Sequence, residues 1–401
     1  MLGHPRPEHG SDNFLNRKRI LFGHPYWGRG GAEVAAMWIL RAFCQEYRVD
    51  IVTRGGWDLD DLNRCSGTRI RREDLGAILY PPFDPQVLTR GGMLWNGLFE
   101  RHCRRLAARY DLCITASRAL DWGWPAVHFL SDVAWNRRLQ ERFLCPEALI
   151  GASPFRRAYF GLGRWLGGSS GRDPAQYDIF VANSQWTAAI SAEYCKIPPV
   201  VIYPAVPGAA VRTPWNQREN SFLCLGRISP EKQIERVMAI LDQVRVLGHA
   251  IRMHLVGTTD ESAYLWQIQK LSEARREWVV FHGPLYGEDK LKLLACCRYG
   301  LNACNREAFG IATAEFMKSG IVPFVPQEGA QAEIVQENEL IYQDIEDAAL
   351  KIDALLRSET RQQELHQAML RRGAEFTPER FCTEVRDLVN RALAGKPGVR
   401  A

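Results

Sequence analysis

Two carboxylates, Glu307 and Glu315, stand with seven residues between them in the segment Asn305–Gly320, NREAFGIATAEFMKSG. Glu307 precedes an Ala-Phe-Gly turn, and the pattern after it predicts a helix that starts near Gly310, carries Glu315 one to two turns inside and closes at Gly320. A helix that begins at so small a residue lets a diphosphate approach free backbone N–H groups, where the helix dipole also favours negative charge. Glu315 is then placed to accept from ribose hydroxyls, as acidic residues do beside other nucleotide-binding helices, and Glu307 to face a hexose. The plainer alternative is a surface helix with two solvated glutamates.

A second constellation, Gly226-Arg227-Ile228-Ser229-Pro230-Glu231-Lys232, follows a strand-like run at Ser221–Arg227. Arg227 offers a planar fork for phosphate oxygens and Lys232 a point charge. The next helix is expected to start around Ser229-Pro230-Glu231, with Ser229 as its N-cap. Singly, such charges are usually solvated; the conjunction with the first segment is what carries weight.

On these residues the sequence resembles the family-4 glycosyltransferases, retaining enzymes of the GT-B fold. Their pattern of Gly-Arg, four residues, then Lys is matched by Gly226, Arg227 and Lys232, and their Glu, seven residues, Glu pattern by Glu307 and Glu315. The resemblance implies that Arg227 and Lys232 hold the donor diphosphate, with backbone N–H groups of Phe309, Gly310 and Ile311 completing the cradle, that Glu315 meets the nucleoside ribose and that Glu307 contacts the transferred sugar. It also implies catalysis by Arg227, Lys232, Glu307 and His128. The implied route is front-side transfer with retention, in which the leaving diphosphate takes the acceptor's proton. The implied partners are a nucleoside diphosphate sugar, UDP-sugar or GDP-mannose, and a glycan, lipid-linked or small-molecule acceptor. No cofactor beyond that co-substrate is expected, and no metal. Two rivals share the fold: a nucleotide-sugar epimerase, and a non-catalytic sugar-nucleotide-binding protein.

In the first half, Gly30-Gly31-Ala32-Glu33 follows a strand and opens a helix, resembling the family's first loop, which lies against phosphates and acceptor. His128, in Pro125–Asp132, resembles the histidine that follows a buried strand and lies near the donor sugar. Ser184 reads as a helix cap. One departure stands out: Gln327-Glu328-Gly329 lacks one of the family's paired glycines, and Glu328 takes the place of a small neutral residue.

The elements that must position these groups are strands alternating with amphipathic stretches, the signature of βαβ units and parallel sheets. Strands are expected at 19–23, 47–54, 111–117, 125–132, 178–184 and 200–206, and then at 221–227, 251–257, 278–282, 299–303, 321–325 and 340–342. The expected fold is thus α/β, GT-B, with two Rossmann-like parallel-sheet domains facing a central cleft. Its parts are a mobile tail over 1–17, an acceptor-side domain over 18–205 and a linker over 206–220. A nucleotide-sugar domain over 221–377 follows, and a terminal helix over 378–401 that packs back on the first domain.

Composition narrows the function class. A net charge of +5 on 401 residues argues against a nucleic-acid partner. Eleven cysteines without a CxxC pair read as reduced thiols of a cytoplasmic protein. No apolar run is long enough to span a bilayer. The stretch 94–110 is basic and amphipathic; packing on the sheet is the plainer reading, and a peripheral contact with an anionic membrane or a lipid-linked acceptor the sharper one.

Overall fold

The structure, a computed structural model, describes residues 17–28, 30–82, 92–131, 139, 161–163, 165–208, 213–258 and 263–395. The expected tail over 1–17 lies almost wholly outside them. The first sheet holds β1 (Arg19–Gly23), β2 (Arg48–Val52), β3 (Ile78–Leu79), β4 (Leu112–Ser117), β5 (Ala126–Leu130), β6 (Ile179–Ala182) and β7 (Val200–Val201). Their order is β3-β2-β1-β4-β5-β6-β7. The second sheet holds β8 (Glu219–Leu225), β9 (Arg252–Val256), β10 (Val279–Gly283), β11 (Cys297–Leu301), β12 (Val322–Pro326) and β13 (Ile341–Tyr342), in the order β10-β9-β8-β11-β12-β13. Every pairing in this second sheet is parallel. Helices cover such sheets on both faces, which is why Ile20, Leu21 and Phe22, or Val322, Phe324 and Val325, run as continuous apolar residues with no exposed surface.

Both orders are the doubly wound, Rossmann-like arrangement. The chain starts in the middle of each sheet, runs outward on one side, then crosses back and runs outward on the other. The reversal leaves a crevice at the carboxyl ends of the two central strands, between β1 and β4 in one sheet and between β8 and β11 in the other.

The chain divides into two compact units, one of residues 1–181, 191–200 and 382–401, the other of residues 182–190 and 201–381. The linker expected over 206–220 is therefore corrected: its described residues are built into the second unit. Val206 and Trp215 lie in that unit's core. Arg218, only 4% exposed, donates to the carbonyls of Thr213 at 3.1 Å, Leu294 at 3.3 Å, Cys297 at 3.0 Å and Ser319 at 2.6 Å. Proline and glycine marked the segment as irregular, but buried hydrogen bonds make it part of a core. The final helix, Pro378–Leu393, groups with the first unit from Cys382 onward. There Arg386 reaches the Ala42 carbonyl at 3.1 Å and Glu46 at 2.7 Å.

The basic stretch 94–110 is mostly the helix Gly92–Ala107. Its apolar side, Phe99, Cys103 and Ala107, is spent in the first unit's core beside Tyr110, and Arg101 and Arg105 are left exposed. Among the described residues no helix is long and apolar enough to cross a membrane.

On the second sheet His254 Nδ1 lies 3.0 Å from His282 Nε2, with Glu219 3.6 Å from the other nitrogen of His254. Burial, then the His282 charge, holds His254 below the ordinary histidine value, with Arg252 adding to the effect and Glu219 opposing it; burial alone lowers His282. Below an unfolded pKa of about 6.5 the unfolded chain binds more protons than the folded one. Stability contributed by this pair is thus complete above about pH 6.5 and falls as pH drops through that value toward the folded pKa. Thermal melts between neutral and mildly acid pH should show that fall, and His254→Gln should flatten it; an unchanged slope in the variant would contradict the assignment.

Candidate active site

The second unit brings the two sequence constellations together. Gly226 and Arg227 leave the carboxyl end of β8, and Asn302–Glu307 leaves that of β11, so the groups flank the crevice between these strands. Lys232 Nζ pairs with Glu307 Oε2 across it. Burial pushes the Lys232 ammonium down, but the Glu307 carboxylate, with Cys304 adding to it, outweighs burial, so the lysine titrates above its ordinary range and is cationic at neutral pH.

Arg227 is more exposed and pairs with Glu231 at 3.0 Å on its own turn. Here the sequence expectation needs correction. Pro230–Lys232 is a 3-10 turn in which Ser229 makes no side-chain cap bond. Gln233 follows at φ 48°, and the α-helix proper is Ile234–Val246. The left-handed residue reverses the chain before the helix, which is how Lys232 comes to point back at Glu307.

The helix Ile311–Lys318 starts at Gly310 and carries Glu315 a turn inside, as the spacing implied, and Gly320 lies just past it at φ 74°. Its first amides have no intrahelical acceptor. Gly310 sits at φ 94°, and a Cβ there would lie 2.8 Å from Gln331 Cγ, so both backbone and space demand glycine. The Phe309 side chain is a buried anchor whose ring packs near Tyr203 and Phe376. The Ala308 carbonyl between them accepts from Ser184 Oγ at 2.6 Å and Thr187 Oγ1 at 3.1 Å. Ser184 Oγ also caps its helix, accepting from Thr187 N at 2.9 Å.

Three contributors to the site escaped the sequence reading. Lys290, on the helix Gly287–Cys296, donates to Glu315 Oε1 at 2.6 Å. Gln331, fully buried, accepts from Thr313 Oγ1 at 2.7 Å and donates to the Cys304 carbonyl at 3.1 Å, tying the turn to the helix tip. Glu333 accepts from the amides of Gln185 at 2.7 Å and Trp186 at 2.8 Å. A buried glutamine beside a glycine turn was a weak signal for Gln331; a lysine among the charges of a helix gave none for Lys290.

The loop with the missing glycine keeps the one that matters. Gly329, at φ 112°, bridges Glu307, where a Cβ would lie 2.8 Å from the Glu307 nitrogen. Ala330 N donates to the Glu307 carbonyl at 2.9 Å. Glu328 turns outward and pairs with Arg306 at 2.6 Å, so the larger residue is accommodated in solvent.

In the first unit, Gly30 caps the helix Gly31–Phe43, and its amide donates to Glu33 Oε2 at 2.9 Å. His128 corrects the expectation of a histidine beyond a strand. It lies at the centre of β5, with 0% of its surface exposed. Thr115 Oγ1 at 2.8 Å and Asp178 Oδ2 at 3.1 Å engage its two ring nitrogens, and Arg172 neutralises Asp178 at 2.7 Å. A ring so enclosed holds neighbouring strands together. Among the described residues no group of three or more His, Cys, Asp or Glu is placed to hold a metal ion. Asp58 and Asp60 have the Asp-x-Asp spacing, but Asp58 caps the helix Leu59–Ser66 by accepting from Asp61 N at 3.1 Å.

Fold and site together define a GT-B protein whose second unit presents two cations and two carboxylates around a helix tip. Comparison with known proteins agrees. Residues 209–375 match the family described as Glycosyl transferases group 1. A curated relative, GDP-Man:Man(3)GlcNAc(2)-PP-Dol alpha-1,2-mannosyltransferase of Candida glabrata, is 25% identical over 166 residues, 37% of this chain; the match spans 32% of the relative's length. Among solved structures, Anabaena HepE in complex with UDP and glucose superposes with a TM-score of 0.64 at 16% identity, covering 94% of this chain and all (100%) of that one. Sucrose-phosphate synthase from Thermosynechococcus elongatus gives 0.67 at 15%, covering 95% and 100%. The structural likeness shows the fold. The segment 209–375 thus resembles the group 1 glycosyl transferases, and the chain as a whole has the GT-B fold.

Gly310→Ala should destabilise the chain by about 1–3 kcal/mol, through backbone strain and the clash with Gln331. Urea denaturation measures this; a variant as stable as the parent would show that the turn is not held as described.

Proposed function

We propose that this chain is a retaining glycosyltransferase that moves a hexose from a nucleoside diphosphate sugar to a glycan, lipid-linked or small-molecule acceptor. The observation that carries the reading is the meeting of Lys232 and Glu307 at the crevice that also receives the Gly310 helix tip. A diphosphate at that tip takes the free amides of Ile311 and its neighbours and draws Lys232 and Arg227 onto its oxygens. Glu307, released from Lys232, accepts from hydroxyls of the sugar, and Glu315 from those of the ribose.

No residue of this set is disposed as a covalent nucleophile, and its cations suit a leaving group better than an acceptor. The reading is therefore front-side transfer, in which the departing diphosphate accepts the proton of the acceptor hydroxyl as the glycosidic bond breaks and the new one forms. The residues' work is to stabilise charge on the leaving oxygens. The relatives' names divide over the donor: HepE was solved with UDP and glucose, and the mannosyltransferase uses GDP-mannose. UDP and GDP are accordingly the nucleotides to compare.

Lys232→Ala and Arg227→Ala should each lower sugar transfer or donor hydrolysis roughly a hundredfold with the fold intact. Radiolabelled UDP-glucose and GDP-mannose, each incubated with parent and variants, provide the assay, and circular dichroism the fold control. Folded variants as active as the parent would remove these cations from the chemistry.

A further inference from the structure

The crevice of the first sheet carries a cationic cluster that the reading above leaves unused. Arg54 follows the carboxyl end of β2 and Arg118 that of β4, the two neighbours of β1. They lie near enough that the Arg118 charge, after burial, helps to lower the Arg54 pKa. One helix holds both. Asn96 Oδ1 accepts from Arg54 Nη1 at 2.8 Å. Glu100, one turn further on, lies 3.8 Å from Arg118 Nη2, beyond hydrogen-bond length.

That support is incomplete. Arg54 Nε and both Nε and Nη2 of Arg118 are buried with no acceptor among the described residues. Beside them the segment 24–27 pairs with 52–55: His24 N donates to the Val52 carbonyl at 3.1 Å and Trp27 N to that of Gly55 at 3.2 Å. Trp27 Nε1 is a further buried donor without a partner among the described residues. Buried N–H groups without acceptors are costly and rare, and guanidinium N–H groups the more so. Two guanidiniums against one carboxylate also leave net positive charge. A phosphate or a carboxylate supplies what is missing, several acceptor oxygens and a negative charge, in the geometry guanidinium forks match. The position fits as well, since ligands of doubly wound sheets bind at the reversal of strand order, here between β1 and β4.

We propose that Arg54 and Arg118 form a subsite for an anionic group, a phosphate or a carboxylate, carried by the acceptor. The word acceptor rests on the glycosyltransferase reading; the anion subsite itself does not. The acceptor is thus an acidic or phosphorylated saccharide or lipid headgroup rather than a neutral sugar, and Asn96 and Glu100 are positioning residues that hold the two forks apart from solvent.

Calorimetric titration of the full chain with glucose 6-phosphate, glucuronate and glucose tests this, with UDP or GDP present to occupy the cations of the second unit. At least one of the two anionic probes should bind roughly tenfold or more tightly than glucose, and which one does so separates phosphate from carboxylate. R54Q/R118Q should lose that preference and R54K/R118K should keep part of it, while affinity for the nucleotide stays unchanged. Equal binding of charged and neutral probes by the parent would overturn the proposal whatever the variants' stability, as would parental affinity in a folded R54Q/R118Q. The same titrations report nucleotide binding: a chain that binds neither UDP nor GDP contradicts the glycosyltransferase reading, while the probe comparison still decides the subsite.

Discussion

A lysine and a glutamate drawn from the ends of neighbouring strands share a part-buried contact, and most of the second unit's local architecture serves to keep them there. Partial burial makes such a pair costly to assemble and more costly to break, because the survivor would be an uncompensated charge. It also makes the pair exchangeable. An incoming anion with better acceptor geometry offers Lys232 more than one carboxylate can, and the carboxylate it leaves is then ready for neutral hydroxyls. On the proposed reading, binding and preparation of the sugar contact become one event.

The backbone around the pair has little freedom. Gly310 and Gly329 occupy left-handed positions where a side chain would meet Gln331 or the backbone of Glu307, and Arg306 takes φ 58° without being glycine. Strain of that kind persists only where surroundings enforce it. Here the enforcement comes from Gln331, from the hydroxyls of Ser184 and Thr187 on the Ala308 carbonyl, and from the buried ring of Phe309. The first sheet repeats the topology with a different population at its crevice, two guanidiniums and an indole in place of an arginine, a lysine and two carboxylates. The same topology thus presents two crevices of unlike chemistry.

How much of this could be read in advance follows from the range of each interaction. Glu307, Gly310 and Glu315 were legible because their relation is local: turn, helix start and spacing fix it within a dozen residues. Arg227 and Lys232 were legible as a pair, but not the 3-10 turn and the left-handed Gln233 that aim the lysine. Lys290 and Gln331 act through contacts between distant segments; the glycine turn beside Gln331 is a weak local signal, and nothing near Lys290 signals its role. β3 is two residues long, too short for periodicity to register. His128 was expected to follow a buried strand because the resemblance put the family's histidine there; only its contacts with Thr115 and Asp178 show a ring satisfied at the centre of β5. The linker over 206–220 failed for a similar reason: irregular backbone and burial are independent, and buried Arg218 reconciles them by donating to four backbone carbonyls.

The exchange at Lys232 is the step on which the functional reading turns, and a crystal structure of the chain with UDP or GDP bound observes it directly. The expected result has the diphosphate within hydrogen-bond distance of the Ile311 amide, Lys232 Nζ on its oxygens and Glu307 free of the lysine. A nucleotide bound away from that helix tip, or phosphates untouched while Lys232 remains on Glu307, would contradict it.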